Sequence, residues 1–130
     1  MAGRDFDFHL GDNANHVFNN TTYVGMAADI PLVLNNASGT PKLIVHTSAV
    51  ETYAPWQAHT VHLDGYLLGY IRDTSGQSSE RHEFTIPTAM VDGTKRRLVV
   101  RVVGNGPGRE DDFVLKRIEP ENLDLSFGWV

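Results

Sequence analysis

The chain has no cysteine, few basic residues and no long apolar run, and each of these absences excludes a class of protein. Without cysteine in 130 residues, a disulfide framework, a thiolate nucleophile and a cysteine-type zinc site are excluded. No apolar run approaches the roughly 20 residues of a membrane helix, and the start of the chain has no apolar signal segment. We therefore expect no membrane insertion, and a location either in the cytoplasm or within a particle.

Positive charge is also scarce. Eleven lysines and arginines stand against sixteen acidic residues, which gives a formal net charge of −5. The basic residues are dispersed apart from residues 95–97 (KRR), which precede an apolar run and fit a solvated strand start. A surface that follows a phosphate backbone needs clustered positive charge, so the composition argues against a nucleic-acid partner.

The dominant periodicity of the chain is two, as in β-strands, and short β-rich runs are separated by Gly, Pro, Asn and Asp. This pattern predicts an all-β protein, a jelly-roll β-sandwich of about eight antiparallel strands. An immunoglobulin-like sandwich shares the alternation, but its Cys and Trp signals are missing from this sequence. The length fits one domain, 1–130, with a core at about 30–119 and an extended C-terminal arm at 120–130. The expected strands are 4–10, 30–34, 42–50, 58–64, 66–72, 82–86, 97–103 and 112–119.

Two local features are specific. Asp64-Gly65 stands between two apolar-rich runs and supplies the positive φ angles of a type I′ turn, which predicts a hairpin. Phe113 and Leu115 share one face of a strand but Ile118 does not, so a β-bulge near Lys116 is needed to return Ile118 to the core.

If successive strands run antiparallel, their connections alternate between the two ends of the sandwich. The loops 51–57, 73–81 and 104–111 then meet at one end, where they present aromatic and polar side chains. Rigid scaffolds usually carry binding residues on such loops. The ligand-binding candidates are Tyr53, Trp56, Asp73, Gln77, Arg81, Asn105 and Arg109.

Three segments resemble galactose-binding-like jelly-roll domains, a fold shared with carbohydrate-binding modules and lectin-like β-sandwiches. They are residues 61–69 (VHLDGYLLG), 83–87 (EFTIP) and 92–102 (DGTKRRLVVRV), followed by 111–118 (DDFVLKRI). The resemblance spans about residues 40–119. It implies a β-sandwich and a sugar ligand, although the same fold also serves in virion and appendage components without a sugar site.

Sugar recognition needs a flat apolar surface for the ring and planar polar groups for the hydroxyls. Trp56 and Tyr53 offer the first in a Pro-containing loop, unless Trp56 folds back as a plug over the sandwich. The Gly-rich segment 104–112 offers oxygen ligands for Ca²⁺, the one cofactor considered, through Asn105, Glu110, Asp111 and Asp112. Asp112 equally fits a role in bonding loop amides.

No catalytic arrangement is visible. His46 and His62 fall on the more polar faces of their strands without a metal-binding spacing. A nucleophile elbow, a His-Glu-x-x-His helix and a facing pair of carboxylates are all missing from the sequence. We therefore expect that the protein is not an enzyme.

The C-terminal arm carries an apolar stripe at period two. Such a stripe needs cover, either from its own sandwich or from a neighbouring subunit in a homo-oligomer. Its residues are the interface candidates Leu123, Leu125, Phe127 and Trp129.

Together these features predict a non-catalytic recognition module whose partner is a carbohydrate, bound by loops at one end of the sandwich. The alternative is a structural or decoration component of a larger assembly, such as a virion or appendage, with a protein assembly partner and no sugar binding.

Overall fold

The computed structural model describes residues 3–11, 15, 18–50, 58–72, 80–103 and 112–128, and within these ranges the chain is an all-β sandwich. The described elements are ten strands and one 3₁₀ turn, Thr88–Met90. The strands are β1 Arg4–Leu10, β2 Thr22–Gly25, β3 Ala27–Asn35, β4 Lys42–Ser48, β5 Ala58–Leu63, β6 Tyr66–Arg72, β7 Glu80–Thr85, β8 Lys95–Arg101, β9 Phe113–Glu121 and β10 Asp124–Phe127.

The strands form two sheets of five. Sheet A has the order β2-β1-β9-β4-β7 and sheet B the order β10-β3-β8-β5-β6. The described strand pairs are antiparallel except β1 with β2, which is parallel. The all-β sandwich prediction is confirmed, and the architecture is compatible with a jelly roll. β2 lies outside the expected strands, and β10 falls within the segment expected to form an extended C-terminal arm.

The core lies between the sheets and follows the alternation of the strands. In β5 every second residue is buried, and Val61 and Leu63 are fully inaccessible to solvent. In β8, Leu98 and Val100 alternate with exposed or half-buried residues in the same way. Burial of these side chains contributes about 25 cal/mol per Å² of apolar surface and holds the sheets together.

The hairpin between β5 and β6 has the predicted turn. Asp64 and Gly65 have φ angles of 49° and 82°, as a type I′ turn requires. The Asp64 carboxylate also accepts a hydrogen bond from the Arg97 backbone N–H at 2.9 Å and one from the Arg96 guanidinium at 3.0 Å. These bonds tie the turn to β8.

The bulge expected near Lys116 is also present. In the β4–β9 ladder His46 pairs with Arg117 and Thr47 pairs with Leu115, which leaves Lys116 as the additional residue. The bulge restores the register, so that Leu115 and Ile118 are both fully buried.

The C-terminal segment docks on its own sandwich, one of the two covers expected for its apolar stripe, because β10 is a strand of sheet B. It pairs antiparallel with β3, and Leu125 lies opposite Leu34. Leu123 and Leu125 belong to the same apolar core as Leu10 and Ala28, and Phe127 packs against it. In this structure Leu123, Leu125 and Phe127 are therefore covered by their own chain. Trp129 lies outside the described residues.

Within the described ranges, no helix is long and apolar enough to span a membrane.

Candidate functional site

One end of the sandwich, which we call the loop end, holds the described strand ends that flank the three loop segments brought together by the sequence pattern. In sheet B, β5 pairs antiparallel with β6 and β8, and in sheet A, β4 pairs antiparallel with β7 and β9. The last residues of β4, β6 and β8 therefore lie at the same end of the sandwich as the first residues of β5, β7 and β9. Most of the ligand candidates belong to sequence segments that lie outside the described residues. They are Tyr53, Trp56, Asp73, Gln77, Asn105 and Arg109, together with the cation-ligand candidates Glu110 and Asp111.

Buried polarity is concentrated at the loop end. Four polar side chains are buried among the described residues, and each lies at or beside a strand terminus there: His9, Thr47, His59 and Asp112. Buried polar groups persist when they are hydrogen-bonded, so each of them calls for a partner.

Asp112, a predicted calcium ligand, is engaged inside the protein. Its carboxylate contacts the Nε2 of His9, and the two side chains are only 4% and 3% exposed. The His9 ring also makes edge contacts with Phe18 and Tyr23, each at 5.0 Å between ring centroids. Gly11 allows this arrangement, since a Cβ there would lie 2.2 Å from the Asp112 carboxyl carbon.

The two other buried polar side chains, His59 and Thr47, also have hydrogen-bond partners. Nδ1 of His59 accepts a hydrogen bond from the Val103 backbone N–H at 3.1 Å, so a neutral His59 carries its proton on Nε2. Its ring stacks on Phe113 at 4.9 Å. Thr47 Oγ1 lies 2.9 Å from His82 Nε2, and burial lowers the pKa of His82.

A depression of about 310 Å³ lies next to this cluster and is lined largely by residues of sheet A and the 18–21 turn; we call it the Phe18 pocket. The pocket lies beside the loop end, because two of its wall residues are there. Ser48 at the end of β4 pairs with Val114 near the start of β9. Its lining is Phe6, Asp7, Phe18, Asn19, Asn20, Thr21, Ser48, Val114 and Lys116.

The pocket combines an apolar surface with available polar groups. Phe6 and Phe18 are half-buried and Val114 is buried. In the part of the chain that the structure describes, five lining side chains have no hydrogen bond or ion pair: Asp7, Asn19, Asn20, Ser48 and Lys116. Thr21 Oγ1 donates to the Phe18 carbonyl at 2.7 Å and fixes the turn that carries both asparagines.

Arg81, expected at the end of the loop 73–81, lies on β7, which begins one residue earlier at Glu80. Its guanidinium pairs closely with Glu83 and lies 3.8 Å from Glu121, while Lys42 bonds the same Glu83 at 3.0 Å. Hydrogen bonds from Lys42 and Arg81 hold the pKa of Glu83 below its ordinary value. Arg81 is thus part of a surface ion-pair network.

The two histidines expected on polar strand faces are on different sheets. Nε2 of His46 lies 3.4 Å from the Glu119 carboxylate in sheet A, whereas His62 belongs to sheet B. No group of three or more His, Asp or Glu side chains suited to a metal ion is present among the described residues.

The sequence interpretation did not identify the Phe18 pocket. Its asparagines stand in residues 18–21 (FNNT), a polar turn after an aromatic residue, which is a weak signal because such turns are common. Comparisons of the chain with protein-family models, with curated proteins and with solved structures found no match.

Proposed function

We propose that the protein is a non-catalytic recognition module that binds a carbohydrate in the Phe18 pocket. The observation that carries this proposal is a set of polar side chains that have no partner in the described part of the chain and that surround the apolar surface of Phe6, Phe18 and Val114. A sugar ring presents C–H groups on its faces and hydroxyls on its rim, and such a lining suits both.

The size and preorganisation of the pocket support a small ligand. At about 310 Å³ it lies at the lower limit of ligand pockets in general, which run from about 300 to 1,000 Å³. The Thr21 hydrogen bond fixes the backbone of the turn that carries both asparagines. The resemblance of residues 40–119 to galactose-binding-like domains is consistent with this ligand class, and it supports the proposal without establishing membership in that family.

The chemistry of the lining suggests how a saccharide is held. The Asp7 carboxylate accepts hydrogen bonds from hydroxyls, Lys116 donates, and the side-chain amides of Asn19 and Asn20 do both. No nucleophile or general base is required for this role. The segment 51–57, which holds Tyr53 and Trp56, lies outside the described residues, so its part in binding stays a prediction.

A glycan array probed with the labelled full-length chain tests the proposal. We expect binding to a subset of glycans, and a loss of about tenfold in affinity for Asn19→Ala, which removes hydrogen bonds worth about 1 kcal/mol each. Ser48→Ala in the pocket and Ser126→Ala on β10 form a matched pair. Only the first is expected to weaken binding.

Two results contradict the proposal. If the wild-type chain binds no glycan, the alternative of a structural component of an assembly takes its place. If Trp56→Ala abolishes binding while Asn19→Ala and Ser48→Ala leave it unchanged, the site is in the loops and not in the Phe18 pocket. Circular dichroism of each variant checks that the fold is intact.

A further inference from the structure

The outer side of sheet B along β6 carries a second surface, separate from the Phe18 pocket. Tyr70 lies opposite Thr60 in the ladder, and Thr60 lies opposite Arg101. Ile71 and Val100, the chain neighbours of Tyr70 and Arg101, are buried. Because successive side chains of a strand point to opposite faces, the row Tyr70, Thr60 and Arg101 faces outward. We call the outward residues of this region the β6 face: Thr60, His62, Leu67, Tyr70, Arg72, Val99 and Arg101.

Apolar exposure is concentrated on this strand. Four large hydrophobic side chains are exposed among the described residues, and three of them lie on β6. Tyr66 is 54% exposed, Leu67 39% and Tyr70 46%. Single exposed apolar residues are ordinary, but a cluster on one edge strand is typical of an interaction site.

The β6 face is locally positive in an acidic protein. The Arg72 guanidinium lies 5.1 Å from the Tyr70 ring centroid. Within the described residues no carboxylate pairs with Arg72 or Arg101, whereas Arg97 on the same sheet is paired with Asp29 at 2.8 Å. A depression of about 240 Å³, lined by His62, Gly65, Val99 and Arg101, opens on the same surface.

β6 is also an edge strand. Of the described strands only β5 pairs with it, so one row of its backbone N–H and C=O groups points away from the sheet. Leu68 is an additional residue in the ladder, because Val61 pairs with Gly69 and His62 with Leu67. The regular part of the open edge is therefore residues 69–72.

We propose that the β6 face binds an acidic, extended segment of a partner protein, which adds as a strand to residues 69–72. Backbone hydrogen bonds along the open edge hold the segment, its carboxylates face Arg72 on the edge strand, and its apolar groups cover Tyr70. Arg101, two strands further into the sheet, adds to the positive charge of this face. Two other occupants fit less well. A second copy would bring the unpaired arginines of both chains together, and an anionic polysaccharide has no peptide backbone to pair with the edge.

Fluorescence anisotropy with a labelled octapeptide of sequence Glu-Thr-Val-Thr-Glu-Thr-Val-Thr, whose glutamates and valines share one face of a strand, tests this surface on the full chain. We expect saturable binding, and a loss of at least about tenfold in affinity for the double variant Arg72→Glu, Arg101→Glu. Lys95→Glu, at the other end of the same sheet, is the matched control and is expected to change affinity by less than about threefold. Failure of the wild-type chain to bind the octapeptide overturns the proposal.

Strand addition is tested separately with two N-methylated octapeptides whose methyl groups are offset by one residue. Since alternate amides of a strand face opposite sides, one version is expected to lose binding and the other to keep it. Equal behaviour of the two overturns the strand geometry. Preferential binding of heparin, or a dimer in light scattering that Tyr70→Ser dissociates, overturns the choice of occupant. None of these results depends on glycan binding at the Phe18 pocket.

Discussion

Replacing Asp112 with alanine removes the carboxylate that the buried His9 Nε2 contacts at the loop end. Both side chains are almost inaccessible to water, at 4% and 3% exposure. Leaving a buried polar group without its partner costs about 1–3 kcal/mol, and breaking a buried ion pair costs about 3–5 kcal/mol. We therefore expect Asp112→Ala to lower the free energy of unfolding by about 3 kcal/mol, where the two ranges meet. At about 4 °C per kcal/mol, this lowers Tm by about 12 °C.

Urea unfolding followed by circular dichroism measures this loss. Asp124→Ala is the control, because its exposed carboxylate makes a surface hydrogen bond to Asn36 at 2.7 Å and its loss costs no more than about 1 kcal/mol. The double variant His9→Phe, Asp112→Ala is expected to recover part of the loss, since both polar partners are then gone.

A loss below about 1 kcal/mol for Asp112→Ala would refute the structural role of the pair. A second measurement separates this role from the calcium interpretation of Asp112. If calcium raises the Tm of the wild-type chain but not that of Asp112→Ala, the carboxylate binds the cation and its assignment as the buried partner of His9 is wrong.

Three further outcomes are expected. A chain ending at Pro120 loses Leu123 and Leu125 from the core, so its free energy of unfolding in urea should fall by several kcal/mol. Unchanged stability in circular dichroism and light scattering would contradict docking of β10 on its own sandwich. Burial lowers the pKa of His82 from 6.5, so below this pH the unfolded state binds more protons than the folded state. The stability of the protein should therefore fall as the pH drops below 6.5. His82→Gln should flatten this part of the Tm–pH curve, and an identical curve would exclude His82 as the cause. A Cβ on Gly69 would lie 3.0 Å from the Phe84 ring, so Gly69→Ala should cost about 1–3 kcal/mol in urea unfolding, and a neutral effect would mean that Phe84 moves freely.

Features set by neighbouring residues could be predicted from the sequence. The Asp64-Gly65 turn follows from the positive φ angles that this dipeptide tolerates. The bulge at Lys116 follows from the parity of three apolar residues within one strand. The alternation of strand directions likewise places the flanks of the three loops at one end, because each connection reverses the chain.

Features set by distant residues could not be predicted in this way. β2 has only four residues and pairs in parallel with β1, so its few residues give little periodic signal. The alternation of Leu123 and Leu125 was visible, but it does not reveal that β3 is the partner strand. His9 and Asp112 are 103 positions apart, and Asp112 alone in an acidic, Gly-rich segment resembles a cation ligand. The Phe18 pocket combines β1, the 18–21 turn, β4 and β9, which only the folded sheet brings together.

The measurement that tests the proposed function most directly is a ¹H–¹⁵N NMR titration of the full chain with the saccharide that binds most tightly on the array. The side-chain amides of Asn19 and Asn20 report on the Phe18 pocket, and that of Asn36, which bonds Asp124 in another part of the sandwich, serves as an internal control. We expect saturable shifts of the Asn19 and Asn20 amides and none of Asn36. Shifts confined to residues outside the pocket, or no shift with any array saccharide, would contradict carbohydrate recognition at this site.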